Sequence, residues 1–211
     1  MTGFQVVLGG DFAGKSEVLS RLPRADWHVV SYDDPNLQDF PVVRRVRGSL
    51  FFEALRHLHR PYSPELVFSL LHPVVWYLHD ETVRCAREGP TVVDSYYFKL
   101  LAKGVIRGIA DPATAALWRA MPQPDGVVFL DVDPDVAWQR SRGPANLNPF
   151  EHYGPQPTYA AFVAYQRDLR AAMLAEVRDL RVTVVDGAGP PDEVAARVRA
   201  VLRTVPDRVA R

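Results

Sequence analysis

"VVLGGDFAGKSEV", residues 6–18, is the stretch of sequence that decides the fold. Three apolar residues lead into a turn in which Gly9, Gly14, Lys15 and Ser16 fill the phosphate-loop pattern G-x-x-x-x-G-K-S/T. Glycines let the backbone curl so that successive N–H groups face one anion, and the helix that follows adds its N-terminal donors. The stretch therefore predicts a buried strand, a loop that binds phosphate groups (a P-loop) and a helix.

The composition is typical of one globular domain without a polyanionic partner. The chain has 211 residues, of which 47% are hydrophobic and 24% charged, and its formal net charge is zero. We therefore expect no nucleic-acid polymer and no membrane as a partner, and no apolar run approaches the roughly 20 residues that cross a bilayer. Cys85 is the only cysteine, which excludes an intrachain disulfide and favours a cytoplasmic location.

Strand patterns alternate with helix patterns along the whole chain. The predicted strands cover residues 4–8, 27–31, 91–94, 126–133 and 181–185. The predicted helices cover residues 15–22, 43–60, 64–88 with a bend at Pro73, 97–109, 113–120, 134–142, 159–177 and 191–202. Residues 32–36 and the Gly- and Pro-rich run from residue 143 are predicted loops. This order predicts an α/β fold with a five-stranded parallel sheet between two helical layers.

Several polar residues stand where predicted strands end. Ligands of parallel sheets bind beyond the carboxyl ends of the strands, so residues 9–16, Asp94 and 131–133 should share one crevice. Asp94 closes an apolar strand and either orients Mg²⁺ or caps the helix that begins near Tyr97. Asp133 precedes Pro134 and is predicted to cap the following helix.

The loop pattern assigns a role to each of its polar residues. Lys15 should reach the β- and γ-phosphates of a nucleotide, and the Ser16 hydroxyl should bind Mg²⁺. ATP and Mg²⁺ are therefore the expected cofactors. The expected nucleotide-binding residues are Gly9, Gly10, Asp11, Phe12, Ala13, Gly14, Lys15, Ser16 and Glu17.

The sequence resembles the thymidylate kinases and their relatives among the nucleoside monophosphate kinases. The loop LGGDFAGKS (8–16) is similar to the family's E-G-x-D-G-x-G-K-S/T, including the aspartate at Asp11 that most P-loops lack. Other similar segments are DSYYF (94–98), PDGVVFLDVDPDVAWQR (124–140), FVAYQRDLRAAMLAEV (162–177) and VDGAGPPDEVAARVRAVL (185–202). The resemblance implies a single P-loop kinase domain over residues 1–211, with a short lid at about 140–157, that phosphorylates a small acceptor.

The resemblance also implies roles for individual residues. Lys15 would hold the transferring phosphates, and Asp94 would serve Mg²⁺ together with Ser16. Asp11 would bind the acceptor's sugar 3′-hydroxyl. The lid arginines Arg140 and Arg142 would clamp charge on the transferred group, unless they are solvated charges at a helix end.

Two further expectations follow from the resemblance. Residues Asp186 and Gly187 would border the adenine of ATP. A homodimer is also expected, because thymidylate kinases commonly dimerise.

The sequence departs from the family mainly on the acceptor side. The family's arginine after the strand-end aspartate is Ser95 here, and its S…AYQ segment becomes Lys99, Ala102 and Lys103. A serine cannot replace the bidentate phosphate contact of a guanidinium. Leu8 also replaces the loop's glutamate. The acceptor-binding groups therefore have to be found elsewhere in the chain.

Basic and aromatic residues offer replacements. Arg44, Arg45 and Arg47 either grip a phosphate or form a solvated basic face. Trp76 and Tyr96 either line an aromatic acceptor pocket or belong to the core.

Three functions are compatible with these features. The first is transfer of the ATP γ-phosphate to a nucleoside monophosphate such as dTMP. The second is phosphorylation of another small acceptor, such as a nucleoside, a modified nucleotide or a secondary metabolite. The third is a nucleotide-binding sensor without catalysis.

Overall fold

The computed structural model describes residues 3–32, 41–58 and 61–204. Residues 33–36 of one predicted loop and residues 59–60 of one predicted helix lie outside them. Five strands form one all-parallel sheet in the order β2-β3-β1-β4-β5. They are β1 (Phe4–Gly9), β2 (His28–Val30), β3 (Thr91–Asp94), β4 (Gly126–Asp131) and β5 (Val182–Asp186). The predicted five-stranded parallel sheet is confirmed.

The three central strands read as nearly continuous apolar runs because both faces of the sheet are covered. Every residue of β1 and β3 is buried. In the register of the sheet, Val6 of β1 lies between Val93 of β3 and Val127 of β4. Strands β1, β3 and β4 are therefore neighbours, and their carboxyl ends lie together at one edge.

Helices cover both faces of the sheet. They are α1 (Lys15–Ser20), α2 (Pro41–Arg45), α3 (Phe51–Arg56), α4 (Pro64–Ser69), α5 (His72–Glu88), α6 (Phe98–Ile106), α7 (Pro112–Arg119), α8 (Pro134–Ser141), α9 (Tyr159–Glu176) and α10 (Pro191–Thr204). Helices α1 and α10 pack on one face, against strand residues such as Val7 and Val128. Helices α3–α7 and α9 pack on the other, against residues such as Val6 and Val127. The fold is thus a three-layer α/β/α sandwich.

Side-chain caps fix where several helices begin. Ser63 accepts a hydrogen bond from the Leu66 N–H at the start of α4, 3.1 Å away. Asp133 accepts one from the Asp135 N–H at 2.8 Å, so its predicted capping role is confirmed. Within the described ranges, none of the helices combines the length and the apolar character needed to cross a bilayer.

Two long predicted helices are interrupted, which corrects the sequence prediction. The run from residue 43 is broken by a π-helical turn, Val46–Leu50, between α2 and α3. The run from residue 64 is divided at Leu70 and Leu71, and Pro73 lies in the first turn of α5. Proline is compatible with a first turn because it lacks the N–H that an inner turn requires, so it starts a new helix instead of bending an old one.

Helix α6 is held against α4 by a close contact at Gly104. A Cβ atom at this position would lie 2.3 Å from Cε2 of Phe68. The Phe68 ring cannot move away easily, because it is fully buried and packs on Trp118 with ring centroids 4.9 Å apart. Glycine at 104 therefore sets the distance at which α6 crosses the core.

We predict that Gly104→Ala destabilises the fold although alanine favours helix formation. Forcing a methyl group into a filled core should cost about 1–3 kcal/mol of unfolding free energy, which exceeds the helix-propensity gain of about 1 kcal/mol. The matched control is Gly48→Ala in the π-helical turn, where a Cβ meets no atom within 4 Å. Urea unfolding should show a lower free energy of unfolding for Gly104→Ala than for the wild type, and no such loss for Gly48→Ala. Equal stability of both variants would contradict the packing argument.

Candidate active site

The phosphate loop leaves the carboxyl end of β1 and enters α1. Gly14, the residue before α1, has a left-handed φ of 93°, and Phe12 has a φ of 58°. A Cβ on Gly9 would lie 2.6 Å from the Leu130 carbonyl oxygen of β4. The strand therefore admits only glycine at this end, and the left-handed turns curl the loop over the start of α1.

Lys15 is buried and folded back into the loop. Its Nζ donates to the Gly9 carbonyl oxygen at 3.1 Å and to the Gly10 carbonyl oxygen at 3.0 Å. Burial, together with the charge of Lys99, lowers the pKa of Lys15 to about 7. Neutral carbonyl groups compensate an ammonium charge poorly, so an anion beside Lys15 would be strongly favoured.

Asp11 lies at the centre of a buried ion-pair cluster. Its Oδ1 lies 2.7 Å from Nζ of Lys99 and 2.9 Å from Nζ of Lys103. Its Oδ2 accepts a hydrogen bond from Nε2 of Gln166 at 3.0 Å, and its backbone N–H donates to Oε1 of the same residue. The cluster joins the loop to α6 and α9.

The cluster keeps its charges despite burial. Burial alone would raise the pKa of the Asp11 carboxyl, but the charges of Lys103 and Lys99 hold it well below its usual range. Burial alone would lower the pKa of Lys99. The negative charge of Asp11 and the hydrogen bond to it act in the opposite direction, and the pKa of Lys99 lies above its usual value. For Lys103 burial prevails, and its pKa is lowered. Asp11 is therefore a carboxylate paired with at least one permanent ammonium.

Asp94 ends β3 beside the loop. The Ser95 hydroxyl donates to its Oδ1 at 2.8 Å, and the Ser31 hydroxyl donates to its Oδ2 at 3.3 Å. Helix α6 begins after Tyr97 and has no side-chain cap. The alternative in which Asp94 caps this helix is therefore wrong, and the carboxylate remains at the crevice.

The chain makes a strained turn directly after Asp94. Ser95 and Tyr96 both have left-handed φ values, 60° and 46°. The Tyr96 N–H donates to the Asp94 carbonyl oxygen at 2.6 Å, and the Ser95 N–H donates to the Val7 carbonyl oxygen at 2.9 Å. Strain of this kind is typical of functional sites, where it fixes the direction of a side chain.

The second half of the predicted lid is attached to α6 and α9. Nζ of Lys103 and the Tyr165 hydroxyl each donate to the Phe150 carbonyl oxygen at 2.9 Å. The Arg107 guanidinium donates to the carbonyl oxygens of Pro149 and His152. Lys103 thus touches both the lid and Asp11, which links the lid to the phosphate loop.

The two lid arginines occupy different environments. Arg140 donates to the Ala13 carbonyl oxygen at 3.1 Å and to the Gly187 carbonyl oxygen at 2.9 Å. It therefore bridges the phosphate loop and the loop after β5, where Asp186 accepts from the Ala188 N–H. Arg142 is exposed and ends α8 with a left-handed φ of 58°. Of the two, Arg140 is held by backbone carbonyls, whereas Arg142 extends from the surface at the start of the lid.

The remaining loop residues differ in burial and in the side chains that they contact. Ala13 is buried, and the hydroxyl-bearing Ser16 is exposed at the start of α1. Glu17 is exposed and pairs with Arg21 one turn later on the same helix. Phe12 packs on Phe162 of α9, with ring centroids 6.1 Å apart.

The two aromatic residues proposed for an acceptor pocket pack on other aromatic side chains of the protein. Tyr96 is fully buried, and its ring packs on Phe4 with centroids 5.2 Å apart, back toward the start of β1. Trp76 lies on α5 and packs on His72 and His79 of the same helix. The core interpretation therefore fits Tyr96, because its backbone turn directs the ring away from Asp94.

Two of the three arginines proposed as an alternative phosphate grip lie at the surface. Arg44 and Arg45 are exposed at the end of α2. Arg47 lies in the π-helical turn, and its side chain lies outside what the structure describes.

Sequence reasoning missed the role of Lys99, Lys103 and Gln166. The first two appear in the sequence only as departures from the family. One signal could have identified them: they lie four residues apart in the otherwise apolar run FKLLAKGVI (98–106), on one face of α6. A lysine is rarely buried without a partner, so two on a buried face predict a nearby carboxylate.

Two comparisons of sequence support the resemblance. The chain is 36% identical over 118 residues to a protein of Archaeoglobus fulgidus named probable thymidylate kinase, an alignment that spans 54% of this chain and about half (53%) of the relative. It is 25% identical over 209 residues to a protein of the same name from Pyrobaculum aerophilum, spanning 96% and 97% of the two chains. No protein-family model matches the sequence.

Solved structures share the fold at low identity. A deoxyadenosine kinase from M. mycoides with dCMP and dCDP bound superposes with a TM-score of 0.62 at 13% identity, covering 95% of this chain and 99% of that chain. The thymidylate kinase from Candida albicans superposes with a TM-score of 0.62 at 15% identity, covering 96% of this chain and 91% of that chain. The chain is similar to thymidylate kinases and has the P-loop kinase fold. The names of these relatives support a phosphotransferase of the kinase type.

The lowered pKa of Lys15 predicts proton uptake if the phosphate loop binds ATP. The free ammonium loses its proton as pH rises through about 7, and adjacent phosphates would restore it. At pH 8 binding should therefore take up about one proton, at pH 6 almost none, and the affinity for ATP should fall as pH rises above 7.

Calorimetry in two buffers of different ionisation enthalpy measures this uptake. Lys15→Met is the control, and its residual binding should show no pH-dependent uptake. Equal proton uptake by the wild type at pH 6 and pH 8 would contradict the assignment.

Proposed function

We propose that the protein transfers the γ-phosphate of ATP to a nucleoside monophosphate of the dTMP type. One observation carries the proposal: the loop with its buried Lys15 and the carboxylate of Asp94 lie on adjacent strands, at one edge of the sheet. Phosphoryl transfer needs chiefly positioning and charge neutralisation, and these two groups supply both. The similarity to proteins named thymidylate kinase supports the same class of acceptor.

The residues present fit both ATP and Mg²⁺. The left-handed φ of Gly14 curls the loop over the start of α1, and Lys15 supplies an ammonium group whose direct hydrogen-bond partners are two backbone carbonyl groups. The described part of the chain contains no group of three or more His, Cys, Asp or Glu side chains that could bind a metal alone. Mg²⁺ does not require one, since it is commonly held by one or two carboxylates together with substrate phosphates.

Each polar group of the site then has a task. Bound ATP would supply the transferable phosphoryl group, with Mg²⁺ neutralising charge on its oxygens. Lys15 and the loop amides would hold the phosphates, and Ser16 and Asp94 would ligate the metal. Arg140 would hold the phosphate loop against the loop of Asp186 and Gly187, which would border the adenine. Arg142 would stabilise charge on the transferred group when the lid closes.

A second candidate is a kinase for a different small acceptor, including one without a phosphate. It is favoured by Ser95, which stands where the family has its phosphate-binding arginine. The cytoplasmic location and the homodimer remain predictions in either case.

The two candidates are separated by measuring ADP release with Mg·ATP over a panel of acceptors. The panel pairs each deoxynucleoside with its 5′-monophosphate, so that each pair differs only in the phosphate. We expect at least one monophosphate to be phosphorylated and its nucleoside to react about 100-fold more slowly or not at all. Lys15→Met should abolish transfer while leaving the circular dichroism spectrum unchanged. Turnover of nucleosides alone would favour the second candidate and overturn the first.

A further inference from the structure

The three lysines of the chain all converge on the phosphate loop. The sequence contains 22 arginines and only three lysines, Lys15, Lys99 and Lys103. All three are buried, and each lies within hydrogen-bond distance of a loop atom. A chain that uses arginine almost everywhere else has compact ammonium groups only here, where a planar guanidinium would need more room.

Lys99 and Lys103 hold Asp11 by different means. Both reach the same oxygen, Oδ1, so two ammonium groups share one carboxylate. Lys103 is also fixed by the Phe150 carbonyl oxygen, which belongs to the lid. Lys99 also donates to the loop carbonyl oxygen of Gly10, at 3.2 Å.

Asp11 does not need Lys99 to remain satisfied. Without it, Oδ1 keeps the ammonium of Lys103 at 2.9 Å, and Oδ2 keeps the amide of Gln166 at 3.0 Å. The flexible Lys99 side chain can therefore turn to another anion without leaving a buried carboxylate unpaired. Lys103 is not free to turn in the same way, because its movement would also break the hydrogen bond to the Phe150 carbonyl oxygen of the lid.

Among the residues that the structure describes, Asp11 is the carboxylate that pairs directly with Lys99. Asp94 is hydrogen-bonded by two serine hydroxyls. Glu151 accepts from the Asn148 N–H, and burial together with the Asp11 charge raises its pKa. In the described part of the chain, the two lysines thus share one carboxylate in direct contact, and Lys99 faces the loop from α6.

The position of Lys99 indicates which anion it serves. Arg140 approaches the loop at Ala13 from α8, on the side of the loop after β5. Lys99 approaches it at Gly10 from α6, which follows Asp94 and the strained turn. Lys15 donates to the same Gly10 carbonyl oxygen as Lys99. Lys99 and Arg140 therefore reach the loop from different elements, Lys99 from the helix that follows Asp94 and Arg140 from the side of the proposed adenine position.

We propose that Lys99 binds the phosphate of the acceptor and takes the place of the arginine that Ser95 lacks. Asp11 then serves as the resting partner of Lys99 and as the permanent partner of Lys103, instead of a ligand for the acceptor's sugar. The acceptor class is a small molecule that carries a phosphate monoester. The inference rests on the proposed function, because it assigns the phosphate-binding group of the same site.

The test compares Lys99→Met with Arg84→Met. Both variants lower the net charge by one, but Arg84 lies on the outer face of α5, where it pairs with Glu81 and Glu88. Lys99→Met should raise the KM for thymidine 5′-monophosphate by about 10- to 100-fold, the loss expected for a charge-assisted hydrogen bond. The KM for ATP should change less than about threefold, and Arg84→Met should leave both values unchanged.

Binding without turnover provides the second measurement. Calorimetry should show that wild type binds thymidine 5′-monophosphate more tightly than thymidine, and that Lys99→Met binds the two about equally. A Lys99→Met variant that keeps the wild-type preference and KM overturns the inference alone. Wild type that phosphorylates no monophosphate overturns the proposed function, and the inference with it.

Discussion

The buried carboxylate of Asp11 is the interaction on which the site depends. Three parts of the chain that are distant in sequence meet there: the phosphate loop, the α6 lysines and Gln166 of α9. Lys103 extends the network to the lid through the Phe150 carbonyl oxygen. Replacing the carboxylate would leave two buried ammonium groups without a counter-charge, a loss of about 3–5 kcal/mol for a broken buried pair. The network thus holds the loop in shape before any ligand arrives.

The same network explains why the site can bind anions. Ammonium groups at the loop are held by carbonyl oxygens and by one shared carboxylate, so they are only partly compensated. Burial depresses the pKa of Lys15 to about 7 for this reason. Phosphate groups would supply the missing negative charge. The donors already face the same place, so little free energy would be needed to reorganise them when a phosphate binds.

Much of the fold could be predicted from the sequence, because apolar runs and glycine patterns depend on local rules. The phosphate loop, the parallel sheet and the Asp133 cap are all of this kind. The breaks near Val46 and Leu70 depend on tertiary packing, which no local pattern shows. The spacing of the two α6 lysines is a local signal, but Asp11 could not be named as their partner because it lies 88 or more residues away in sequence. No local pattern shows the left-handed turn that directs the Tyr96 ring into the core, so the sequence left its two alternatives open.

We expect a donor phosphate and an acceptor phosphate to meet between Lys15 and Lys99. The most direct measurement is the affinity of a bisubstrate compound in which adenosine and thymidine are joined through five phosphates. If the claim is correct, it binds more tightly than ATP, is displaced by both ATP and thymidine 5′-monophosphate, and loses affinity in Lys15→Met and in Lys99→Met. Binding no tighter than that of ATP, and insensitive to Lys99→Met, would contradict the account.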